Sequence, residues 1–175
     1  MRATVMPYLT ALHHIIGRDD ASGEGLDLGL RTGMGDEWLR IGPVKVLTDG
    51  SLIGRSAAMT CCYHGEESSG YMAWDVEELT ELLRGAYRLG FRLATHAIGD
   101  AAVDHALDII EGAQRDYPRT DPRNRIEHFG VASDEQIARA ARLGVIGVPQ
   151  PRSSPSSATA WPVPSAPSAP SCATA

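Results

Sequence analysis

Apolar and polar positions alternate along this chain in two periods, and the switches between them mark its elements. Residues 2–9, RATVMPYL, predict a short strand that ends near Pro7. A Gly- and Asp-rich stretch follows from Gly17, read as a long loop with a short helical piece around Leu26–Leu30. Val44, Lys45, Val46 and Leu47 suit a second strand, and Asp49-Gly50 its exit turn. The clearest helical period begins after Asp75: Val76, Leu79, Leu82, Leu83 and Ala86 form one apolar stripe. Asp75 and Glu78 have the spacing of a capping box, Trp74 and Leu79 that of a hydrophobic staple, and Gly90 the place of a stop.

The same rhythm repeats twice. FRLATHA predicts a strand, and the segment after Gly99 a helix with Val103, Leu107 and Ile110 on one side. NRIEHFG predicts a strand, followed by a helix that Ser133 and Gln136 box at its start and Gly144 ends. VIGVPQP predicts one more strand. Strand and helix in strict alternation is the mark of a parallel sheet with helices outside, in a doubly wound sheet or a barrel. By this reading residues 1–151 form one domain. Beyond it, 152–175 hold Pro, Ser and Ala with Arg152 as the single charge, too little apolar surface to fold, and are expected to be a disordered tail.

Composition removes several classes of function. The chain has 175 residues, 43% of them hydrophobic, with 16 basic and 22 acidic side chains for a net charge of -6. There is no basic stripe, so nucleic acid is not an expected partner. No run reaches membrane-spanning length, and a membrane is not expected either. Cys61, Cys62 and Cys172 make no disulfide framework, and the start of the chain has no signal-peptide architecture; both point to the cytoplasm. No Gly-x-Gly-x-x-Gly follows a strand, and no Gly-x-Ser-x-Gly supplies a serine nucleophile.

Four polar residues need an explanation. Lys45, the only lysine, interrupts a strand otherwise apolar. It is a site residue, or it marks an edge strand from which its stem reaches solvent. Period 2 puts it on one face with Leu47 and Asp49. His96 and His128 each end a predicted strand, one helical unit apart, on the sheet edge where ligands bind in parallel α/β folds. They share one ion, or each only satisfies the end of its strand. Asp100 caps the next helix or belongs to the same site. Glu127 should point away from His128 and pair with Arg92 or Arg125. His13, His14, His64 and His105 are expected in loops and on a helix surface.

VKVLTDGSLIGRSAAM, THAIGDAAVDHALD and NRIEHFGVASDEQIARAARLGVIGVPQP, taken in order, resemble the YtcJ-like, amidohydrolase 3 domain branch of the metal-dependent amidohydrolase superfamily. The resemblance runs from about residue 2 to Pro151 and implies a partial TIM-like (β/α)8 barrel, about strands three to seven. It implies a divalent metal, zinc above all, held by carboxylated Lys45, His96 and His128. Asp49 and Arg55 fall in the loop beyond the lysine strand, where substrate should lie, and Asp100 matches the aspartate of the HAIGD signature. The implied reaction is hydrolysis of a non-peptide carbon–nitrogen bond in a small-molecule amide, by water that the metal activates. Two family elements are missing from the sequence: the His-x-His of strand one and the proton-moving aspartate of strand eight. The chain as written is therefore expected to be impaired or inactive, a truncated member whose open strand edges invite self-association. The competing reading is a non-catalytic fold fragment or binding module.

Overall fold

The computed structural model describes residues 1–16 and 22–149. The expected tail, 152–175, lies outside them.

Four strands, β5 (Val44–Leu47), β6 (Leu93–Ala97), β7 (Arg125–His128) and β8 (Ile146–Pro149), form one parallel sheet in sequence order. Each crossover carries a helix: α1 (Val76–Arg88), α2 (Asp100–Asp116) and α3 (Asp134–Arg142). The alternating pattern predicted these parallel strands and helical crossovers, because a strand can return parallel to its neighbour only through such a crossover. Val44, Val46, Leu93, Ala97 and Ile126 pack with Leu79, Leu83, Val103, Leu107 and Ile110 of the helices into one core. The opposite sheet face carries the half-buried Lys45, His96, Arg125 and Glu127 and the exposed Leu47 around a buried Ala94.

Helix ends follow the sequence closely. Asp75 accepts the N–H of Glu78 at 2.9 Å, but Glu78 makes no return bond, so only half of the expected capping box forms. The box at Ser133 and Gln136 is complete. Along α1 the buried stripe is Leu79, Leu83, Ala86 and Tyr87; Val76, counted in the apolar stripe, is exposed in the first turn.

The N-terminal third departs from expectation. The first strand, β1 (Ala3–Val5), lies outside the main sheet and pairs in parallel with β4 (Leu39–Ile41). Beyond it the chain meets β5 at an isolated parallel bridge between Tyr8 and Lys45, where Lys45 N–H donates to the Pro7 carbonyl at 2.8 Å, and Leu9 and Leu12 join the core of Val44 and Val46. Pro7 has no N–H to extend the ladder. The sheet thus has four strands where the pattern predicted five, and among the described residues it does not close into a barrel. The predicted long loop contains a small antiparallel pair, β2 (His13–Ile15) with β3 (Gly23–Gly25), so His13 and His14 sit on a strand. The expected short helical piece is a 3-10 turn at Asp27–Gly29.

Candidate metal centre

Lys45, His96 and His128 all lie on neighbouring strands of one sheet. Register brings Leu47 level with His96, and His96 level with Glu127. His128 is one step further on, level with Ala97, whose side chain belongs to the helix-covered core. A regular strand would aim His128 into that core. Instead its φ is +70° and that of Phe129 +47°. This left-handed pair of residues swings the imidazole back. The rings of His96 and His128 come to 4.6 Å between centroids, with an interplanar angle of 72°. The two histidines therefore do converge, though not through equivalent strand positions.

His96 is held by the end of β5. Its Nε2 lies 3.0 Å from the Gly50 carbonyl oxygen and 3.4 Å from Oδ1 of Asp49. A carbonyl only accepts, so Nε2 carries the proton and Nδ1 keeps its lone pair. Burial holds His96 below the ordinary imidazole range, against the Gly50 carbonyl and the Asp49 carboxylate, which favour protonation. A neutral imidazole is the form that can hold a metal.

Asp49 does more than orient that ring. Its carboxylate, with a fully buried side chain, accepts N–H groups from Ala58 at 3.1 Å, Ile98 at 3.1 Å and Gly99 at 2.8 Å. Backbone donors replace the water that a buried carboxylate would otherwise lose. One residue thereby ties the loop after β5 to the turn between β6 and α2. The approach is close enough that a Cβ on Gly99 would sit 1.9 Å from the Ala58 carbonyl oxygen.

Asp100 is the first residue of α2, with Gly99 as the cap. Its carboxylate accepts from Thr60 N–H at 2.8 Å and from the Thr60 hydroxyl, which fastens the same loop a second time. Arg55 stands at φ +50° in that loop and is paired with Glu66, its side chain 55% exposed. The structure thus places Asp49 against His96 and ties Asp100 and Arg55 to loop partners.

The Nζ of Lys45 is buried without a hydrogen-bond partner. Burial lowers its pKa, while Glu127 opposes and Arg125 reinforces that shift. Glu127 shares the face of Lys45 and His96 and is gripped by Arg125 through two bonds, 2.7 and 3.1 Å. Strand parity counted from His128 puts Glu127 on the other face; the register, with Glu127 level with His96, corrects this. Among the described residues no set of three or more His, Cys, Asp or Glu is arranged around one point. The donors at hand are two imidazoles and an amine that needs a partner. They fit a divalent cation if the amine carries a carboxylate, which turns an orphaned donor into an oxygen ligand.

The sequence model of the amidohydrolase family matches residues 12–166. Over 109 residues the chain is 35% identical to "Putative amidohydrolase YtcJ" of Bacillus subtilis, covering 62% of this chain and 20% of that protein. It is 32% identical over 114 residues to an "N-substituted formamide deformylase" of Arthrobacter pascens, covering 65% of this chain and 20% of the other. A crystal structure of an uncharacterized metal-dependent hydrolase from Pyrococcus furiosus superposes with a TM-score of 0.59 at 37% identity, over 69% of this chain and 24% of that one. The chain thus spans about a fifth of the length of these curated relatives.

Proposed function

Because the chain belongs to the amidohydrolase family, we propose that it carries part of the divalent-metal centre of a hydrolase acting on non-peptide carbon–nitrogen bonds. The substrate class is a small-molecule amide, in keeping with the formamide-cleaving relative. His96 through Nδ1, His128 and a carboxylated Lys45 hold the ion, with zinc the cation that best suits two imidazoles and one oxygen donor. The observation that carries this reading is the orphaned Nζ of Lys45 on the same sheet face as His96. A cation bound there supplies Lewis-acid polarisation of an amide carbonyl and a more acidic water. In this reading the sheet is an arc of a (β/α)8 barrel, and Lys45 and the histidines face its axis.

The chain's own groups have defined tasks. Burial biases Lys45 toward the neutral amine, the form that adds carbon dioxide to give a carbamate. Asp49 and the Gly50 carbonyl fix the His96 ring and its tautomer. Asp100 and Thr60 hold the loop after β5, and Arg55 projects from that loop where an acyl group would meet it. What these residues lack is a proton carrier. Asp49, Asp100 and Glu127 are each engaged by donors of their own. General acid–base help contributes roughly 10²–10⁴-fold in typical enzymes, so turnover by this chain alone is expected to be slight. Binding of the cation needs no such group.

A non-catalytic reading is favoured by one observation: two imidazoles without a third His, Cys, Asp or Glu among the described residues. Metal analysis separates the two. After incubation with zinc and bicarbonate and gel filtration, the chain should retain zinc that the triple variant Lys45→Met, His96→Ala, His128→Ala does not. Equal zinc in both proteins overturns the proposed centre.

A further inference from the structure

We infer that the cleft at the N-terminal edge of the parallel sheet, far along the strands from the histidines, is a binding site for a phosphoryl dianion. Arg31, Arg92 and Arg119 converge on this cleft of about 320 Å3, together with Thr32, Gly90 and Asp121. Arg92 immediately precedes β6, whose other end carries His96, so the strand itself separates the two sites.

The charge in this cleft is not balanced by the protein. Three guanidinium groups face one carboxylate. Asp121 lies 3.8 Å from Arg92 and is also taken by Arg123 at 2.8 Å. Neither Arg31 nor Arg119 has an ion-pair partner among the described residues. Arg119 donates instead to two backbone carbonyls, to Phe91 O at 2.9 Å and to Tyr87 O, and its guanidinium carbon stands over the Tyr87 ring, 3.8 Å from the centroid. Those contacts orient a half-buried guanidinium without neutralising it. Burial lowers the Arg119 pKa most; Tyr87 opposes the shift, and Arg92 and Arg31 add to it. Like charges gathered at one place, in a chain of net charge -6, cost stability unless an anion joins them.

The cleft is also built to admit the third arginine. Gly90 adopts φ +102° after α1, and a Cβ there would come within 2.7 Å of the Arg31 side chain. The absence of that Cβ lets the Arg31 stem lie across the helix end toward Arg92. The Thr32 hydroxyl accepts the Arg92 N–H at 3.0 Å and donates to Gly42 O at 2.8 Å, which fixes the floor. With Asp121 shared between Arg92 and Arg123, the three arginines of the cleft keep at least two positive charges, enough for a dianion. Three arginines lining one cleft suit the several oxygens of a phosphoryl group better than a single carboxylate. The volume leaves room for the organic part of a monoester.

Titration of the 175-residue chain, free of metal, with inorganic phosphate and with phenyl phosphate tests the site. Thermal unfolding and calorimetry at constant ionic strength, with nitrate as the monovalent control, give the readout. Saturable stabilisation by both phosphoryl compounds and not by nitrate is expected. Tighter binding of phenyl phosphate would identify a monoester as the occupant, equal binding free phosphate; both support the site. Arg31→Ala, an exposed position whose loss leaves the fold intact, should weaken binding about tenfold. Asp121→Asn should tighten it. Absence of saturable stabilisation, or equal affinity in the Arg31→Ala and Asp121→Asn variants, overturns the inference.

Discussion

The imidazoles of His96 and His128 meet edge to face at 4.6 Å although the strand register pairs His96 with Glu127. The left-handed backbone of His128 makes the encounter possible. Non-glycine residues pay for that conformation, β-branched ones most. Replacing His128 by asparagine, which tolerates the region, should leave stability within about 0.5 kcal/mol. Replacement by valine should cost about 2 kcal/mol. Both should lose zinc. Urea unfolding and zinc retention on the same samples check this, and a valine variant as stable as the asparagine one would count against the backbone argument.

Asp49 gathers three backbone N–H groups, one from Ala58 in its own loop and two from Ile98 and Gly99 in the turn after β6. Removing its carboxylate leaves those donors buried and unpaired. We expect Asp49→Ala to lower stability by about 3 kcal/mol. Gly99→Ala should be at least as damaging, since the contact at 1.9 Å is with backbone that cannot swing aside. Denaturant midpoints of the two variants measure this. Little change in either would mean that the loop after β5 relaxes without loss.

His105 lies on α2 with its Nε2 buried and without a partner. Burial holds its pKa below 6.5, against the opposing pull of Asp108 on its own helix and Glu77 on α1. A folded pKa below the unfolded one means that the unfolded chain binds more protons as acid is added. The stability contribution is present above pH 6.5 and is lost as pH falls from there toward the folded value. His96 is shifted in the same direction and adds to the loss. His105→Leu should therefore raise stability by about 1 kcal/mol at neutral pH and flatten the acid limb below pH 6.5. Parallel limbs for variant and parent would remove His105 from the account.

Four parallel strands and all three helices were legible because period 2 and period 3.6 alternate cleanly and the caps are well marked at Asp75, Ser133, Gly90 and Gly144; the spatial order of the strands was not, since the pattern alone suits a doubly wound sheet as well as a barrel. The pair of strands at His13–Ile15 and Gly23–Gly25 was not. Three residues of which two are glycine carry no alternation, and what stabilises them is tertiary: Gly23 rests on the Gly85 backbone of α1. At the site, Lys45, His96 and His128 could be picked out as polar residues at apolar strand ends. Sequence pattern could not reveal that Asp49 serves backbone N–H groups, because its partners at Ala58, Ile98 and Gly99 are set by the fold. Nor could it place Glu127 beside Lys45, since one residue of left-handed backbone at His128 undoes the parity on which such reasoning depends.

The protonation pattern of His96 gives the sharpest check on the centre. Its Nε2 faces two acceptors, the Gly50 carbonyl at 3.0 Å and the Asp49 carboxylate at 3.4 Å. Neither can donate at neutral pH, so a lone pair on Nε2 would confront two oxygens. The neutral ring should therefore be almost wholly the Nε2–H tautomer, which leaves Nδ1 as the only nitrogen able to bind a cation. Long-range 1H–15N correlation of the metal-free chain at pH 8 should give a pyrrole-type Nε2 and a pyridine-type Nδ1 for His96. Zinc with bicarbonate should then move Nδ1 and leave the Nε2 proton in place. In Asp49→Asn the Gly50 carbonyl still accepts, so the tautomer should persist, with a weaker Nε2 bond and a ring more easily reoriented. A metal-free spectrum dominated by the Nδ1–H form would sink both the tautomer and the assignment of His96 as a ligand through Nδ1. It would also return the histidine pair to the role of strand-end hydrogen bonding, whatever zinc the chain retained.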